Sequence, residues 1–237
     1  MADDKVRYRM AEEIAVVVMD DGKANAISAE VIDALHNCLD RAEREAKALV
    51  LTGRDQRLSG GFDLKVMTSS PDAVRELVTA GAELMLRLYT FPRPVVVGCT
   101  GHALAAGAIL LLAADTRIGA RGDFKIGLNE VAIALTLPIF ALEMARDRLS
   151  KRHFTAAVTQ GKIFDPDGAK DAGFLDAVAE PGALFDTAVA HARRLAPLPD
   201  PAFRNTKQRA RAATVSLIRE TLADDMTALT RVPVPRP

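Results

Sequence analysis

Apolar residues along the 237-residue chain recur with two periods, that of a strand and that of a helix. Residues 6–10 and 14–19 are short runs rich in β-branched side chains, parted by Glu12 and Glu13, and they read as two strands. Asp20, Asp21 and Gly22 mark a turn. Ser28 can cap the helix that follows, in which Val31, Ile32, Leu35, Cys38, Leu39 and Ala42 fall on one face. Residues 48–52 read as a buried strand ended by Gly53, and the polar stretch 54–59 as a loop into Gly60 and Gly61. Pro71 and Asp72 open a second amphipathic helix, which Pro92 and Pro94 end. A strand at 95–97 leads to a helix of Ala and Leu over about 104–114. Short strands are predicted at 116–118, 124–126 and 174–178, two or three helices across 136–159, and a short helix over 165–172 ending at Gly173. Beyond Gly182 the pattern is helical, over 184–196 and about 204–230, with a proline-containing link at 197–201. The tail V-P-V-P-R-P at 232–237 reads as extended.

Strands alternating with helices predict an α/β fold with largely parallel strands. The link divides a core domain, residues 1–196, from a C-terminal helical region, 197–237. That region carries Val215, Leu217, Ile218, Leu222, Met226 and Leu229, too many apolar positions to leave in water. They predict packing in a subunit contact.

Apolar residues make up 49% of the chain, enough for a core and too many for general disorder. Thirty-one basic residues balance thirty-one acidic ones. With zero net charge, no tryptophan and two tyrosines, neither a phosphate-backbone grip nor a base-stacking platform is expected. The longest apolar runs, 103–114 and 131–142, are too short to span a membrane. The charged first ten residues do not read as a secretory signal. Cys38 and Cys99 lie in apolar stretches and fit a reducing, cytoplasmic setting.

The chain has no phosphate-binding P-loop, no G-x-G-x-x-G and no G-x-S-x-G elbow. His36, His102, His153 and His191 show no metal-ligand spacing, so no metal is expected. Two glycine-containing segments remain, 58–65 and 101–108, each following a buried strand. Strand-to-helix turns of small residues expose backbone N–H groups, and a helix N-terminus adds positive partial charge. Two such turns side by side can present two donors to one oxygen, the design of an oxyanion hole. The same glycines also suit tight packing alone. Glu130 stands inside the apolar stretch G-L-N-E-V-A-I-A-L-T-L-P. It is either solvent-facing or buried with a raised pKa, as a proton shuttle requires.

Together these segments resemble the crotonase, or enoyl-CoA hydratase/isomerase, superfamily from about residue 8 to 178. Residues 25–28 (N-A-I-S) resemble its N-A-L-S segment, and 59–64 (S-G-G-F-D-L) its S-A-G-x-D-L segment. Residues 101–107 (G-H-A-L-A-A-G) and 114–118 (A-D-T-R-I) resemble G-x-A-x-G-G-G and C-D-x-R-I. Residues 127–131 (G-L-N-E-V) resemble G-x-P-E-V, and 161–164 and 169–178 resemble T-G-x-x-F and A-x-x-x-G-L-V-D-x-V. The resemblance implies a crotonase-like spiral of ββα units with a helical C-terminal region, a homotrimer or hexamer, and a coenzyme A thioester as substrate with no separate cofactor. It implies an oxyanion hole from the backbone N–H groups of Phe62 and Ala106, and Glu130 as acid/base. It places Lys23, Ala26, Gly60 and Lys65 near the coenzyme A nucleotide.

The sequence departs from that pattern. Hydratases of the family carry a second glutamate where this chain has Ile109; Ala105 and Ala106 replace two glycines, and Asn129 replaces a proline. Adding water across a double bond calls for two groups to hold the water and divide the acid and base work. Moving a double bond needs one. The retained Glu130 therefore leans toward one-base isomerisation, with hydration left open. The alternative is a coenzyme A-thioester-binding protein with weak or no turnover.

Overall fold

The computed structural model describes residues 5–229. The tail expected to be extended, 232–237, lies outside them. Strands β1 (Val6–Ala11) and β2 (Ile14–Met19) form an antiparallel hairpin, and from β2 the chain winds in ββα turns. The first turn continues through β3 (Ala26–Ile27) into α1 (Ala29–Glu45). The second runs β4 (Ala48–Thr52), β5 (Gln56–Ser59), β6 (Gly61–Phe62), α2 (Leu64–Met67), α3 (Pro71–Tyr89). The third is β7 (Val95–Cys99), β8 (Gly101–Leu104), α4 (Ala106–Leu112). The fourth, β9 (Thr116–Ala120) and β10 (Ile126–Gly127), is followed by α5 (Ile139–Arg148), α6 (Lys151–Val158) and α7 (Pro166–Ala172). Strand β11 (Ala177–Ala179) and helices α8 (Leu184–Leu195) and α9 (Asp200–Leu229) complete the fold.

The principal sheet has the order β1-β2-β4-β7-β9-β11, parallel except for the β1–β2 pair. A sheet with parallel strands must be covered on both faces, and its strands read as continuous apolar runs. Every residue of β4 and β7 is accordingly buried. Val16, Val50 and Val96 face α8 through its Leu184, Ala188 and Ala192. The alternate residues Val17, Leu51 and Val97 face the larger core built with α1, α3 and α4. Ser28 and Ser70 cap α1 and α3 through Val31 N (3.3 Å) and Ala73 N (3.2 Å). Two smaller parallel sheets, β10-β8-β5 and β3-β6, carry the second strand of each turn.

Two expectations need correction. The polar segment 54–59 is not a loop throughout: Gln56–Ser59 pairs with β8. Backbone approach makes that strand, not a hydrophobic period. A Cβ on Gly101 would stand 2.0 Å from Gln56 O, so only glycine lets the two strands meet. Helix α9 also starts inside the expected link, at Asp200, with Pro201 in its first turn, where no N–H is needed.

The apolar face of α9 is largely spent within the chain. Ile218 and Met226 are buried, and Val215, Leu222 and Leu229 pack against the main core. Leu217 alone of the six remains exposed, at 41%. This corrects the physical argument for a subunit contact from this helix, since five of those residues already have partners. At its other end α9 is tied by ions: Asp115 accepts from Lys207 Nζ at 2.7 Å, pairs with Arg211 at 2.9 Å and accepts from Val95 N at 2.8 Å.

Candidate active site

The turn at residues 59–62 is held by a network of short polar side chains. The Asp21 carboxylate accepts from the backbone N–H of Lys23 (2.7 Å), Asn25 (2.8 Å) and Ala26 (3.0 Å). These bonds hold its pKa below the usual carboxylate value, against the opposing effect of burial. Asn25, buried and at φ 50°, donates from Nδ2 to Met19 O (2.8 Å) and Leu58 O (3.2 Å). Ser59 Oγ donates to Asn25 O (2.6 Å) and accepts from Gly61 N (3.1 Å). Strand β3 thereby fixes β6, in the register Ala26 to Gly61 and Ile27 to Phe62. Along a strand, successive N–H groups point to opposite sides. Asp63 N donates to Ile27 O at 3.2 Å, so the N–H of Phe62 points away from β3.

The second turn abuts the first. A Cβ on Gly61 would lie 3.1 Å from Ala105 Cβ and 3.5 Å from Ala106 N. Ala106 is the first residue of α4, one of the helix-start N–H groups that no carbonyl of its own helix can satisfy. Ala105 is held at φ 50°, ψ −125°, a costly conformation for a residue with a Cβ. The strain accompanies a fixed geometry: Ala105 N donates to Gly127 O at 3.1 Å, while β8 pairs with β10. Gly107 lets α4 close on this turn, since a Cβ there would sit 2.4 Å from Ser59 O.

Strand β10 carries the chain from that contact to Glu130, which is followed by a single 3-10 turn, Val131–Ile133, closed by Ala134 at φ 59°. Glu130 is 7% exposed, and its Oε2 has no hydrogen-bond partner. Burial raises its pKa to about 7. Of the two readings open in the sequence, solvent-facing or buried, the structure shows the second.

These residues meet at a cavity of about 660 Å³. Gly60, Phe62, Ala106 and Glu130 all line it. Among the described residues Glu130 is the one ionisable side chain on its wall. Ile109 lies on the same wall, 1% exposed, in the first turn of α4. Val74 and Val78 of α3, Phe140 of α5 and Leu229 of α9 make the wall apolar elsewhere, and Thr68, Ser69 and Ser70 give it a polar patch. Asn129 is a further lining residue, with its Oδ1 buried and unpartnered.

Three of the expected binding residues stand apart from the cavity wall. Ala26 sits behind it, paired with Gly61. Lys23 and Lys65 are exposed, the first in the loop before β3 and the second on α2 one turn past Phe62. The sequence reading passed over the supporting role of Asp21, for which the D-D-G turn was the available signal: aspartates that open turns bond the backbone just ahead of them. It also missed Leu229, which no local pattern connects to residues a hundred positions earlier.

Known proteins with this architecture can now be set beside it. Residues 9–233 match the family model described as enoyl-CoA hydratase/isomerase. A putative enoyl-CoA hydratase of Thermus thermophilus is 30% identical over 209 residues, covering 82% of this chain and 79% of that protein. A probable enoyl-CoA hydratase of Bacillus subtilis is 33% identical over 132 residues, 54% of this chain and 50% of its relative. Among solved structures, an enoyl-CoA hydratase/isomerase family protein from Pseudomonas syringae superposes with TM-score 0.93 at 42% identity, covering 95% of this chain and 98% of the other. An enoyl-CoA isomerase of Mycobacterium tuberculosis gives TM-score 0.91 at 40% identity, covering 95% and 98%. The spiral of ββα turns is thus the crotonase-like fold, and the chain belongs to the enoyl-CoA hydratase/isomerase family.

Proposed function

We propose that the protein moves the double bond of an enoyl-CoA thioester from C3–C4 to C2–C3, with Glu130 as its one acid/base. The observation that carries this reading is the composition of the cavity wall: among the described residues one ionisable side chain, buried and with its Oε2 unpartnered, and an isoleucine where a second carboxyl would be needed to hold water. The Glu130 carboxylate takes a proton from C2. The freed electron pair enters the conjugated system, and the negative charge settles on the thioester oxygen. The N–H groups of Phe62 and Ala106 receive that oxygen. A single such donor is worth about 3 kcal/mol to the reaction barrier. The protonated carboxyl then returns its proton at C4, so the base is regenerated and atoms balance. Transfer in both directions suits a carboxyl with a pKa of about 7, since both of its forms are populated near neutral pH.

The coenzyme A thioester is the substrate, and the proton transfer draws on no separate cofactor. Gly60 lines the cavity where the nucleotide end would approach, Ala26 backs that turn through its pairing with Gly61, and Lys23 and Lys65, both exposed, offer point charges to the phosphates. A cytoplasmic setting fits the two free, buried cysteines, Cys38 and Cys99.

The test is a panel of 3-enoyl-CoA and 2-enoyl-CoA substrates given to the purified protein and to Glu130→Gln. Isomerisation should outrun hydration in the wild type, and the variant should lose at least about 10²-fold in isomerisation. Hydration at an equal or higher rate would make the chain a hydratase. Acyl-CoA binding with no turnover would make it a binding protein.

A further inference from the structure

Helix α9 reaches the cavity only at its last described turn, where Leu229 lines the wall. One turn earlier on the same face, Asp225 bonds to a different element. Its Oδ2 accepts from Ile139 N at 2.7 Å. Ile139 is the first residue of α5, and its neighbours Pro138 and Phe140 are both cavity residues. Pro138, at the cap position of α5, offers no side-chain hydrogen bond, so Asp225 supplies the missing cap from across the fold. The start of α5 and the end of α9 are therefore joined at one carboxylate, and both form part of the apolar wall.

We propose that Leu229 sets the length of acyl chain the cavity accepts, with Asp225 as the positioning residue that holds it against α5. This inference rests on the enoyl-CoA reading above. It goes beyond that reading by assigning chain-length selection to the chain's own C-terminal helix, over ninety residues from the catalytic glutamate. Asp225 touches no substrate. It acts by keeping Leu229, Pro138 and Phe140 in one arrangement.

The test uses saturated acyl-CoA ligands, which have no double bond to move, so binding is read apart from chemistry. Affinities for butyryl-CoA and decanoyl-CoA are compared by calorimetry in the wild type and four variants. Leu229→Trp, which adds far more than a methylene, should weaken decanoyl-CoA by at least the roughly tenfold that one methylene is worth in an apolar pocket, and leave butyryl-CoA unchanged. Asp225→Ala should narrow the ratio between the two affinities, and Asp225→Asn, which keeps an acceptor oxygen, should restore it. Leu217→Ala, on the exposed face of the same helix, should change neither. Equal effects of Leu229→Trp on both ligands, or none on either, would overturn the proposal even if Asp225→Ala proves too unstable to measure. Absence of any acyl-CoA binding in the wild type would instead refute the reading of the site.

Discussion

At the scale of single residues, the cavity holds one buried carboxyl among the described residues, that of Glu130. Ionising Glu130 costs free energy because no donor bonds its Oε2 and little water reaches it. Its folded pKa, about 7, lies above its ordinary value of 4.5. The carboxyl therefore stabilises the fold fully below pH 4.5, and that contribution disappears as pH rises to about 7. The span corresponds to on the order of 3 kcal/mol. Glu130→Gln should match the wild type in urea unfolding at pH 4 and exceed it at pH 8 by up to about that amount. Equal stability at pH 8 would mean that the carboxylate is solvated or paired. Ile109 gives the complementary experiment. Ile109→Glu places a second carboxyl on the same wall, where paired groups can share a proton and divide acid and base roles. In a variant that stays folded and binds coenzyme A ligands, hydration of a short 2-enoyl-CoA should rise relative to isomerisation of the 3-enoyl isomer. An unchanged ratio would show that the missing glutamate does not decide the chemistry.

At the scale of elements, the site is a meeting of two strand-to-helix turns, and their contact is set by glycine. A methyl group on Gly107 would press on Ser59 O, the residue whose hydroxyl also holds Gly61 N. Gly107→Ala should thus push α4 away from the 59–62 turn and part the two N–H donors. The expected outcome is a folded protein, by far-UV circular dichroism, that keeps its affinity for a saturated acyl-CoA but loses turnover by 10-fold or more, approaching the ~10² of a lost oxyanion donor. The long apolar strands β2, β4 and β7 were legible in the sequence because burial on both faces writes itself as a continuous apolar run. Short β3, β5 and β6 were not legible, because backbone pairing and side chains such as Asn25 build them. The A-D-T-R-I segment shows the same division. Its family likeness was readable, but not its work: Asp115 anchors α9, and Arg117 clasps Asp176 with bonds of 2.6 and 3.0 Å. Glu130, Ile109, Phe62 and Ala106, which line one cavity, lie in short segments whose family likeness is readable in the sequence. Asp225 and Leu229 join the site only through tertiary packing.

At the scale of the whole molecule, assembly and charge both bear on the site. A homotrimer or hexamer is implied by the family resemblance, and on α9 Leu217 remains exposed for such a contact while Ile218 and Met226 are buried within the chain. Val131 and Ile133, exposed at 44% and 48%, are apolar residues still open to a partner, and Ile133 itself lines the cavity. Light scattering at micromolar concentration should give a trimeric or hexameric mass, and a monomer would contradict it. The chain's formal net charge is zero, and no neighbouring charge contributes to the shift of Glu130. The pKa of Glu130 is a local consequence of burial, and the rate should follow it directly. The most direct measurement is kcat/KM for 3-enoyl-CoA isomerisation from pH 5 to 9, in the wild type and Glu130→Gln. The rate should climb with pH through a single ionisation near 7 and then level, since the base works as the carboxylate, and the variant should be at least about 10²-fold slower throughout. A profile flat across that range, or a glutamine variant that keeps the wild-type rate, would contradict Glu130 as the base.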